Sequence, residues 1–418
     1  MNILVVTQYF WPENFRVNEL VSDFVARGHR VTVLTGQPNY PGGQFFEGYG
    51  RHGPRVEHAL GAEIIRVPML ARGDGGGLRL ALNFLSFAIS ASVAAYTRLS
   101  GSGGSFDAVF VFEVSPITVG IPAIVASRRF DIPLLFWVLD LWPETLAATG
   151  AVRAKPVLWL VGLLVRWIYR NCSRVLVASR AFVDNVMHYG ATQQKVRYFP
   201  NWIESEFHAN EHADISNWRL PQGFRIVYAG NIGASQGFPE IVAAAEKLAV
   251  VCPQVHWVIA GDGRMAQWVK EEVAKRKLTD RFLFLGQQPQ ELMPPLFAAA
   301  DALIVGLVGH QAESVFAQTV PGKVQSYLAA GKPIVAMLDG EGAKIIDEAC
   351  AGLTCVSGDV DALVASIRKL TEMTVAQRAQ MGARAEAYAH AEFDRKMLFD
   401  RLEGWFTEAV TEHASMRK

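Results

Sequence analysis

The sequence is short of the features that mark several large classes of protein. It has only four cysteines, with no Cys-x-x-Cys pair and no histidine cluster, so Cys172, Cys252, Cys350 and Cys355 are expected to be reduced, largely buried thiols. The 40 Lys+Arg and 40 Asp+Glu residues cancel, which argues against nucleic acid as a main partner. No secretory leader precedes the first apolar run at residues 3–6, so a cytoplasmic protein is expected.

The chain also lacks an uninterrupted apolar run of about 20 residues, the length needed to cross a bilayer. Residues 78–99 are broken by arginines, and residues 156–169 are shorter and contain Arg166. Both segments fit buried core helices. The alternative that we favour is a surface pressed against a membrane, with Trp159 and Trp167 at the interface.

What the chain does have is 50% hydrophobic residues in a pattern of short apolar runs and longer helical segments. A length of 418 residues suits two domains of about 200 residues each. The alternation predicts βαβ units and parallel sheets. The predicted strands are residues 3–7, 30–35, 63–67, 108–112, 134–138 and 174–178, then 226–229, 255–260, 282–285, 302–305 and 334–336. The main predicted helices are residues 14–27, 236–250, 264–277, 290–299 and 323–330.

The predicted fold is therefore α/β, with two Rossmann-like, doubly wound domains facing a central cleft. The first covers residues 1–205 and the second residues 206–392, and a final helix at about 393–418 is expected to pack back on the first. Ligands of such domains bind beyond the carboxyl ends of the strands. This pattern fits equally a two-domain dehydrogenase, a binding protein or an epimerase.

Two loops of the first half follow predicted strands and carry aromatic or amide side chains. The loop at residues 8–16 contains Phe15 and Arg16 and has no Gly-x-Gly-x-x-Gly, which disfavours a dinucleotide site. The loop at residues 37–43 offers Asn39 and Tyr40 for hydrogen bonds to a substrate. The alternatives are a hydrophobic lid for the first loop and a purely structural turn for the second.

A third loop begins with Asp140 and continues through Trp142, directly after the strand at residues 134–138. A carboxylate at the carboxyl end of a buried parallel strand lies where active sites are built, so we favour a catalytic or acceptor-binding role. The alternative is that Asp140 caps the following helix.

In the second half, the turn at residues 230–237 is rich in small residues, which let backbone N–H groups approach an anion. Lys323 lies in the first turn of a predicted helix, where a cation is unfavourable unless an anion is bound there. A solvated surface lysine is the alternative.

With these residues the chain resembles the family-4 retaining glycosyltransferases, which have the GT-B fold. The branch it resembles most builds bacterial O-antigen and capsular polysaccharides and includes N-acetyl-L-fucosaminyl transferases. The motifs lie in this order along nearly the whole chain: residues 9–20, 28–33, 38–42, 140–144, 228–233, 261–263 and 321–333. The chain departs from the family at Asn231 and Gln236, where many members have Arg and Lys, and at Gln318 and Ser326, where they have Glu.

The resemblance implies transfer of a sugar, with retention, from a nucleoside diphosphate sugar to a polyprenyl-diphosphate-linked saccharide in O-antigen, capsule or exopolysaccharide synthesis. A UDP-N-acetyl-hexosamine such as UDP-N-acetyl-L-fucosamine is the expected donor. The enzyme is expected at the inner face of the bacterial plasma membrane, as a peripheral protein without metal or other cofactor. A GT-B nucleotide-sugar epimerase and a non-catalytic sugar-nucleotide-binding relative are the alternatives.

The residue roles that follow are expectations of the same kind. Asp140 and Lys323 are assigned to catalysis, with Lys323 supplying the positive charge absent at the two family positions. The expected acceptor-binding residues are Phe15, Arg16, Asn39, Tyr40 and Trp142. The expected donor-binding residues are Asn231, Ile232, Gly233, Gln236, Gly261, Asp262, Ser326, Glu341 and Gly342.

Overall fold

The computed structural model describes residues 1–73, 75–99, 105–204, 214–307 and 315–416. It divides into two compact units, one of Met1–Phe199 with Phe399–Lys418 and one of Pro200–Leu398. We call them unit 1 and unit 2. The predicted domain boundary between residues 205 and 206 lies outside the described residues.

Unit 1 is built on an eight-stranded sheet in the order β3-β4-β2-β1-β5-β6-β7-β8, parallel except for the antiparallel pair of β3 with β4. Its strands are β1 (Asn2–Val6), β2 (Arg30–Thr35), β3 (Val56–Ala59), β4 (Ala62–Arg66), β5 (Ala108–Glu113), β6 (Leu134–Val138), β7 (Arg174–Val177) and β8 (Val196–Tyr198). Its helices are α1 (Arg16–Ala26), α2 (Gly77–Thr97), α3 (Gly120–Phe130), α4 (Glu144–Ala148), α5 (Lys155–Asn171) and α6 (Phe182–His188).

Unit 2 has a parallel six-stranded sheet in the order β11-β10-β9-β12-β13-β14. Its strands are β9 (Phe224–Ala229), β10 (Val255–Ala260), β11 (Phe282–Gly286), β12 (Ala302–Gly306), β13 (Ile334–Met337) and β14 (Gly352–Cys355). Its helices are α7 (Phe238–Val251), α8 (Ala266–Lys275), α9 (Met293–Ala298), α10 (Val315–Gln318), α11 (Lys323–Ala329), α12 (Gly340–Glu348), α13 (Val360–Glu372) and α14 (Val375–Phe393).

The last helix, α15 (Arg395–Ser415), passes from unit 2 into unit 1. In unit 1, its Phe406 contacts Phe24 of α1 and Phe110 of β5, with ring centroids 5.6 and 5.9 Å apart. Arg174 at the start of β7 pairs with Glu412 at 2.7 Å. The end of the chain thus contributes both an apolar face and a charge to the first unit.

Most residues of the central strands are apolar because helices cover both faces of each sheet. This pattern explains why the strands predicted at residues 30–35, 134–138 and 255–260 are confirmed at both ends. The prediction missed β3, β8 and β14, which are edge strands of three or four residues. Their few, partly exposed side chains give little periodicity to read.

Two helix predictions illustrate local rules. Gly28 follows α1 with a φ of +86°, and its N–H donates to Val25 O at 2.9 Å, so the predicted glycine stop is confirmed. The single helix predicted for residues 290–299 is instead a 3₁₀ turn, Gln290–Leu292, followed by α9. Pro294 and Pro295 lack the N–H groups that would bond back into an α-helix begun at residue 290.

One helix of the described residues, α2, has the length and mean hydropathy (1.6 over 18 residues) that a membrane span needs. Core helices of soluble proteins meet the same test, and 39% of this stretch is buried. Its buried side chains, including Phe84 and Phe87, belong to the core of unit 1.

Candidate functional site

The first two predicted loops of unit 1 lie beside each other, because they follow the neighbouring strands β1 and β2. Phe15 contacts Tyr40, with ring centroids 5.3 Å apart, and stacks on Tyr9 at the same distance. Tyr40 remains 39% exposed. Two predicted acceptor residues therefore form one aromatic surface at the carboxyl edge of the sheet.

A buried carboxylate that sequence reasoning missed holds these two loops together. Glu13 accepts hydrogen bonds from the backbone N–H groups of Asn39 (2.8 Å) and Tyr40 (2.7 Å), and from that of Phe10 in its own loop (3.2 Å). Burial raises the pKa of Glu13 to about 7, against the lowering effect of these donors. Its sequence position between Pro12 and Asn14 carries no signal for this role.

The Asn39 side chain forms hydrogen bonds within the protein. Its amide donates to Gln37 O at 2.8 Å and accepts from the N–H of Arg72 at 3.1 Å. Arg72 in turn lies over the Tyr40 ring, 5.3 Å from the centroid. Asn39 is completely buried, so a direct contact with an acceptor stays a prediction that this geometry does not favour.

Asp140 follows β6, and it interacts with Glu113, the last residue of the adjacent strand β5. The backbone N–H of Asp140 donates to Glu113 Oε2 at 3.4 Å, and Thr145 Oγ1 donates to Asp140 Oδ1 at 2.5 Å. Sequence reasoning missed this second carboxyl beside Asp140. Because Glu113 is completely buried, it lies behind Asp140 rather than beside a substrate.

Burial dominates the electrostatics of this pair. It raises the pKa of Glu113 well above its usual value, and the negative charge of Asp140 raises it further. Burial also raises the pKa of Asp140, although Thr145 opposes the shift. No cationic side chain of the described residues affects the pKa of either carboxyl. A neutral Glu113 lets Asp140 carry the single negative charge of the pair.

Trp142 and Glu144 complete the loop. The Trp142 indole is buried and meets the Phe84 ring edge-on at 6.3 Å, so it anchors the loop to α2. Glu144 accepts a hydrogen bond from Tyr189 Oη at 2.9 Å and so connects the loop to the end of α6.

In unit 2, Lys323 begins α11 as predicted, and its side chain reaches the loop after β9. Its Nζ donates to Tyr228 Oη and to Gln236 Oε1 (2.8 Å), and it lies 4.0 Å from the Tyr228 ring centroid. No carboxylate of the described residues pairs with it. Burial lowers the pKa of Lys323 from its usual 10.5 to about 7, since only neutral groups surround the ammonium.

Tyr228 joins this cation to the small-residue turn, a link that sequence reasoning missed. Its hydroxyl donates to the backbone oxygen of Asn231 at 2.5 Å. Asn231 is exposed, whereas the Ile232 side chain is buried and its N–H donates to Asp262 O at 2.8 Å. The Ile232 amide is therefore occupied, which corrects its expected role. The N–H groups of Asn231 and Gly233 have no backbone acceptor among the described residues.

Glycine allows the loops after β9 and β10 to meet. A Cβ on Gly261 would lie 1.9 Å from Gly230 O, and one on Gly230 would lie 2.5 Å from Lys323 Cε. Gly261 therefore faces the neighbouring loop, and its expected donor-binding role stays a prediction. The Asp262 side chain is exposed, and among the described residues its carboxylate accepts only from the N–H of Gly263, at 2.7 Å.

The remaining predicted donor residues lie in α11 and α12, the helices before and after β13 in the chain. Glu341 and Gly342 form the first turn of α12, after β13, and a Cβ on Gly342 would lie 3.2 Å from Pro321 in the segment that leads into α11. Glu341 is buried, and its Oε1 has no hydrogen-bond partner in the described chain. Ser326 is buried within α11, one turn beyond Lys323.

Across the described residues, no group of three or more His, Cys, Asp or Glu side chains is arranged to hold a metal ion. The two candidate regions are thus an acidic loop with aromatic neighbours in unit 1 and a cationic, amide-rich turn in unit 2. The second arrangement suits an anion such as a diphosphate.

Comparison with known proteins agrees with this chemistry. Residues 14–202 match the family described as glycosyl transferase 4-like domain, and residues 223–373 match glycosyl transferases group 1. Among curated proteins, the chain is similar to the putative colanic acid biosynthesis glycosyl transferase WcaI of Escherichia coli. The two are 25% identical over 384 residues, which is 88% of this chain and 92% of that protein.

Solved structures share the fold. Sucrose-phosphate synthase from Thermosynechococcus elongatus superposes with a TM-score of 0.71 at 16% identity, covering 97% of this chain and 98% of that one. Anabaena HepE in complex with UDP and glucose gives a TM-score of 0.68 at 17% identity, with coverage of 97% and 99%. At these identities the likeness concerns the fold, which is GT-B.

Proposed function

Because the chain is a family-4 glycosyltransferase of the GT-B fold, we propose that it moves a sugar, with retention, from a nucleoside diphosphate sugar to a hydroxyl of a polyprenyl-diphosphate-linked saccharide. A nucleotide sugar as partner agrees with the UDP-containing structural neighbours. The proposed donor is of the UDP-N-acetyl-hexosamine type, such as UDP-N-acetyl-L-fucosamine. The proposed context is O-antigen, capsule or exopolysaccharide synthesis, which the colanic acid relative supports.

The observation that carries this proposal is the position of Lys323. In the transfer, the bond between the anomeric carbon and the diphosphate oxygen breaks, and negative charge develops on the leaving diphosphate. The Tyr228 hydroxyl bonds both to Lys323 Nζ and to the backbone oxygen of Asn231, and so links the ammonium to this turn. The hydrogen-bond partners of Lys323 in the described structure are neutral. Bound diphosphate supplies the missing counter-charge, with the amides of Asn231 and Gly233 as further donors.

Asp140 supplies the opposite charge. As the new bond forms between the anomeric carbon and the acceptor oxygen, positive charge grows on the sugar ring and the acceptor hydroxyl becomes acidic. A carboxylate at the end of β6, held by Thr145 and backed by neutral Glu113, orients that hydroxyl or stabilises the ring charge. Phe15 and Tyr40 offer flat apolar faces to the acceptor saccharide.

The proposed reaction uses no metal or other cofactor. Lys323 and the backbone amides supply positive potential at the diphosphate, which is the task that a divalent cation performs in many other transferases.

We also propose peripheral attachment to the inner face of the plasma membrane, through one surface of unit 1. A stripe of exposed side chains runs along α2 at spacings of three and four residues, so it occupies one helix face. Its members are Leu78, Leu82, Leu85, Ile89, Val93 and Tyr96. A second exposed set on α5 consists of Val157, Trp159, Leu160, Leu163 and Trp167. We call the two sets together the apolar surface.

Basic side chains of α3 link the two parts of the apolar surface. Arg129 lies over the ring of Tyr96, 5.3 Å from its centroid, and Arg128 lies over Trp167 at 5.8 Å. Apolar side chains with arginines between them match the acyl boundary and headgroups of an anionic bilayer. Because the opposite face of α2 is buried in unit 1, the proposal has this helix lying on the bilayer rather than crossing it.

Vesicle sedimentation tests the attachment. The protein is expected to pellet with phosphatidylglycerol vesicles at low salt, and an Ile89→Ser/Leu85→Ser double variant should pellet less, because each exposed apolar side chain contributes about 1.5–3 kcal/mol when buried. Equal amounts of protein in the supernatant with and without vesicles would reject the attachment.

The activity is tested with a panel of nucleotide sugars, with and without a polyprenyl-diphosphate saccharide. The expected result is a lipid-linked product one sugar longer, formed from one or few UDP-sugars and retaining the anomeric configuration by NMR. Epimerised nucleotide sugar formed without acceptor would identify an epimerase instead. Donor binding without turnover in any combination would identify a binding protein.

A further inference from the structure

A groove of about 270 Å³ lies between α5 and α6 of unit 1, outside the residues assigned above to donor and acceptor. Its lining includes Pro143, Trp159, Leu163, Arg166, His188 and Tyr189. The volume is below the roughly 300–1,000 Å³ of pockets that enclose a drug-sized ligand. The groove therefore suits one end of a longer molecule rather than a whole glycolipid.

Its lining combines apolar and polar side chains. Trp159 and Leu163 of α5 are apolar and are 64% and 40% exposed. Arg166, three residues beyond Leu163 on the same helix, and His188 at the end of α6 are polar, and their side chains have no hydrogen bond or ion pair within the described chain. An arginine left unpaired beside apolar side chains presents a fork of donors that fits a phosphate.

The groove also adjoins the loop that carries Asp140. Pro143 belongs to that loop and lines the groove, and Tyr189, which lines it from the end of α6, donates to Glu144 at 2.9 Å. Gly162 of α5 permits this approach, because a Cβ there would lie 3.1 Å from the Tyr189 ring. The groove also adjoins the apolar surface, because Trp159 and Leu163 belong to both.

We propose that this groove binds the diphosphate and first isoprenoid unit of the acceptor lipid, a step that rests on the function proposed above. Arg166 and His188 bind the diphosphate, while Trp159 and Leu163 pack on the isoprenoid. The rest of the lipid continues over the apolar surface into the bilayer, and the saccharide extends past Pro143 towards Asp140. Charge complementarity at Arg166 and continuity with the apolar surface would suit any anionic lipid. Contact of the groove with the loop of Asp140 favours this occupant over a phospholipid, which has no saccharide to place there.

The test measures binding of farnesyl diphosphate by calorimetry, in saturating UDP so that the donor site is filled. Farnesol, which lacks the diphosphate, and inorganic pyrophosphate, which lacks the tail, are each expected to bind at least about tenfold more weakly, because each loses one of two linked contributions. Arg166→Gln should weaken farnesyl diphosphate binding by about tenfold or more. Arg170→Gln, one turn along the same helix and outside the groove, is the matched control and should bind like the parent.

A second variant separates the groove from the membrane surface. Ile89→Ser, on α2, should reduce vesicle binding and leave farnesyl diphosphate binding unchanged, whereas Leu163→Asn should reduce both. Thermal shift with UDP verifies that each variant is folded. Undiminished binding in Arg166→Gln, equal binding of farnesol, displacement by UDP, or equal competition by a short-chain phosphatidylglycerol would each overturn the assignment. Failure of the proposed function is seen separately, as wild-type protein that transfers no sugar to a lipid-linked acceptor.

Discussion

The carboxyl edges of the two sheets carry buried ionisable side chains of opposite sign, and neither set has a counter-charge among the described residues. In unit 1, Glu113 and Asp140 are buried without a cationic partner among the described residues, and burial raises the pKa of both. In unit 2, Lys323 meets only neutral acceptors, and burial lowers its pKa to about 7. Loss of water without a counter-charge drives each group towards its neutral form. Under the proposed function, the basic region binds the leaving diphosphate and the acidic region acts on the sugar or the acceptor.

In each region, binding of a ligand of opposite charge is expected to stabilise the charged form of the buried side chain. A diphosphate favours the ammonium of Lys323, and a sugar ring gaining positive charge favours the carboxylate of Asp140. Because structural ion pairs have already satisfied their charges, groups left unpaired in this way are the better candidates for a reaction. Breaking either region should therefore affect turnover more than folding.

The largest effect is expected from removing the cation. Lys323→Ala should lower kcat by about 10²–10³-fold, since the leaving diphosphate loses its one side-chain charge in this turn. Lys323→Arg should recover part of the loss, because the charge is kept and the geometry changes. Lys344→Ala, an exposed lysine of α12, is the control and should behave like the parent. A folded Lys323→Ala protein with nearly parental kcat would move the diphosphate site elsewhere.

Removing the negative charge from the opposite region should cost about 10²-fold in kcat. Asp140→Asn keeps the shape and the bond from Thr145 while losing the charge, so the donor KM should hardly change. Thr145→Val, which removes only that bond, should give a smaller loss. Steady-state kinetics with donor and acceptor varied separately decides the matter, and an unchanged kcat in Asp140→Asn would contradict the catalytic assignment.

The lowered pKa of Lys323 predicts a pH dependence of UDP affinity. Without ligand the amine loses its proton as the pH rises through about 7, whereas the diphosphate complex retains it, so binding takes up a proton. Between pH 7 and 8.5 the affinity should fall by up to about tenfold per pH unit. Lys323→Arg stays charged and should give a flat profile. A wild-type profile as flat as that of the arginine variant, measured by calorimetry, would show that Lys323 is charged before UDP binds.

A smaller effect is expected from the hydroxyl that positions the cation. Tyr228→Phe keeps the ring under Lys323 and removes the bonds to Nζ and to Asn231 O, which should reduce kcat/KM by about 3- to 10-fold. Tyr327→Phe is the matched control, because that buried hydroxyl bonds only to the Ala229 backbone. It should lower the Tm and leave kcat/KM near the parental value. Equal kinetic losses in the two variants would reduce Tyr228 to a structural residue.

The smallest effect is expected from a chelator. If Lys323 and the turn amides supply the positive potential at the diphosphate, EDTA should leave turnover unchanged within error. Loss of activity in EDTA that Mn²⁺ or Mg²⁺ restores would show that a metal shares this task.

Local sequence determined much of the fold. Strands such as β2 and β6 are apolar runs bounded by polar residues, and Gly28 stops α1 because it adopts a positive φ at little cost. Local sequence also predicted that Asp140 follows a strand and that Lys323 begins a helix, because both positions depend on residues nearby in the chain. The resemblance, rather than these rules, supplied the reaction and most of the donor residues.

The tertiary structure decided what surrounds those residues. Glu113 reaches Asp140 across 27 residues, Glu13 reaches the Asn39 loop across 26, and Lys323 reaches Tyr228 across 95. No periodicity or motif encodes such pairs, because they arise when parallel strands bring the ends of distant segments to one edge of a sheet. The sequence alone thus determined which residues could carry charge, while only the packed sheets determined that burial would leave those charges unpaired.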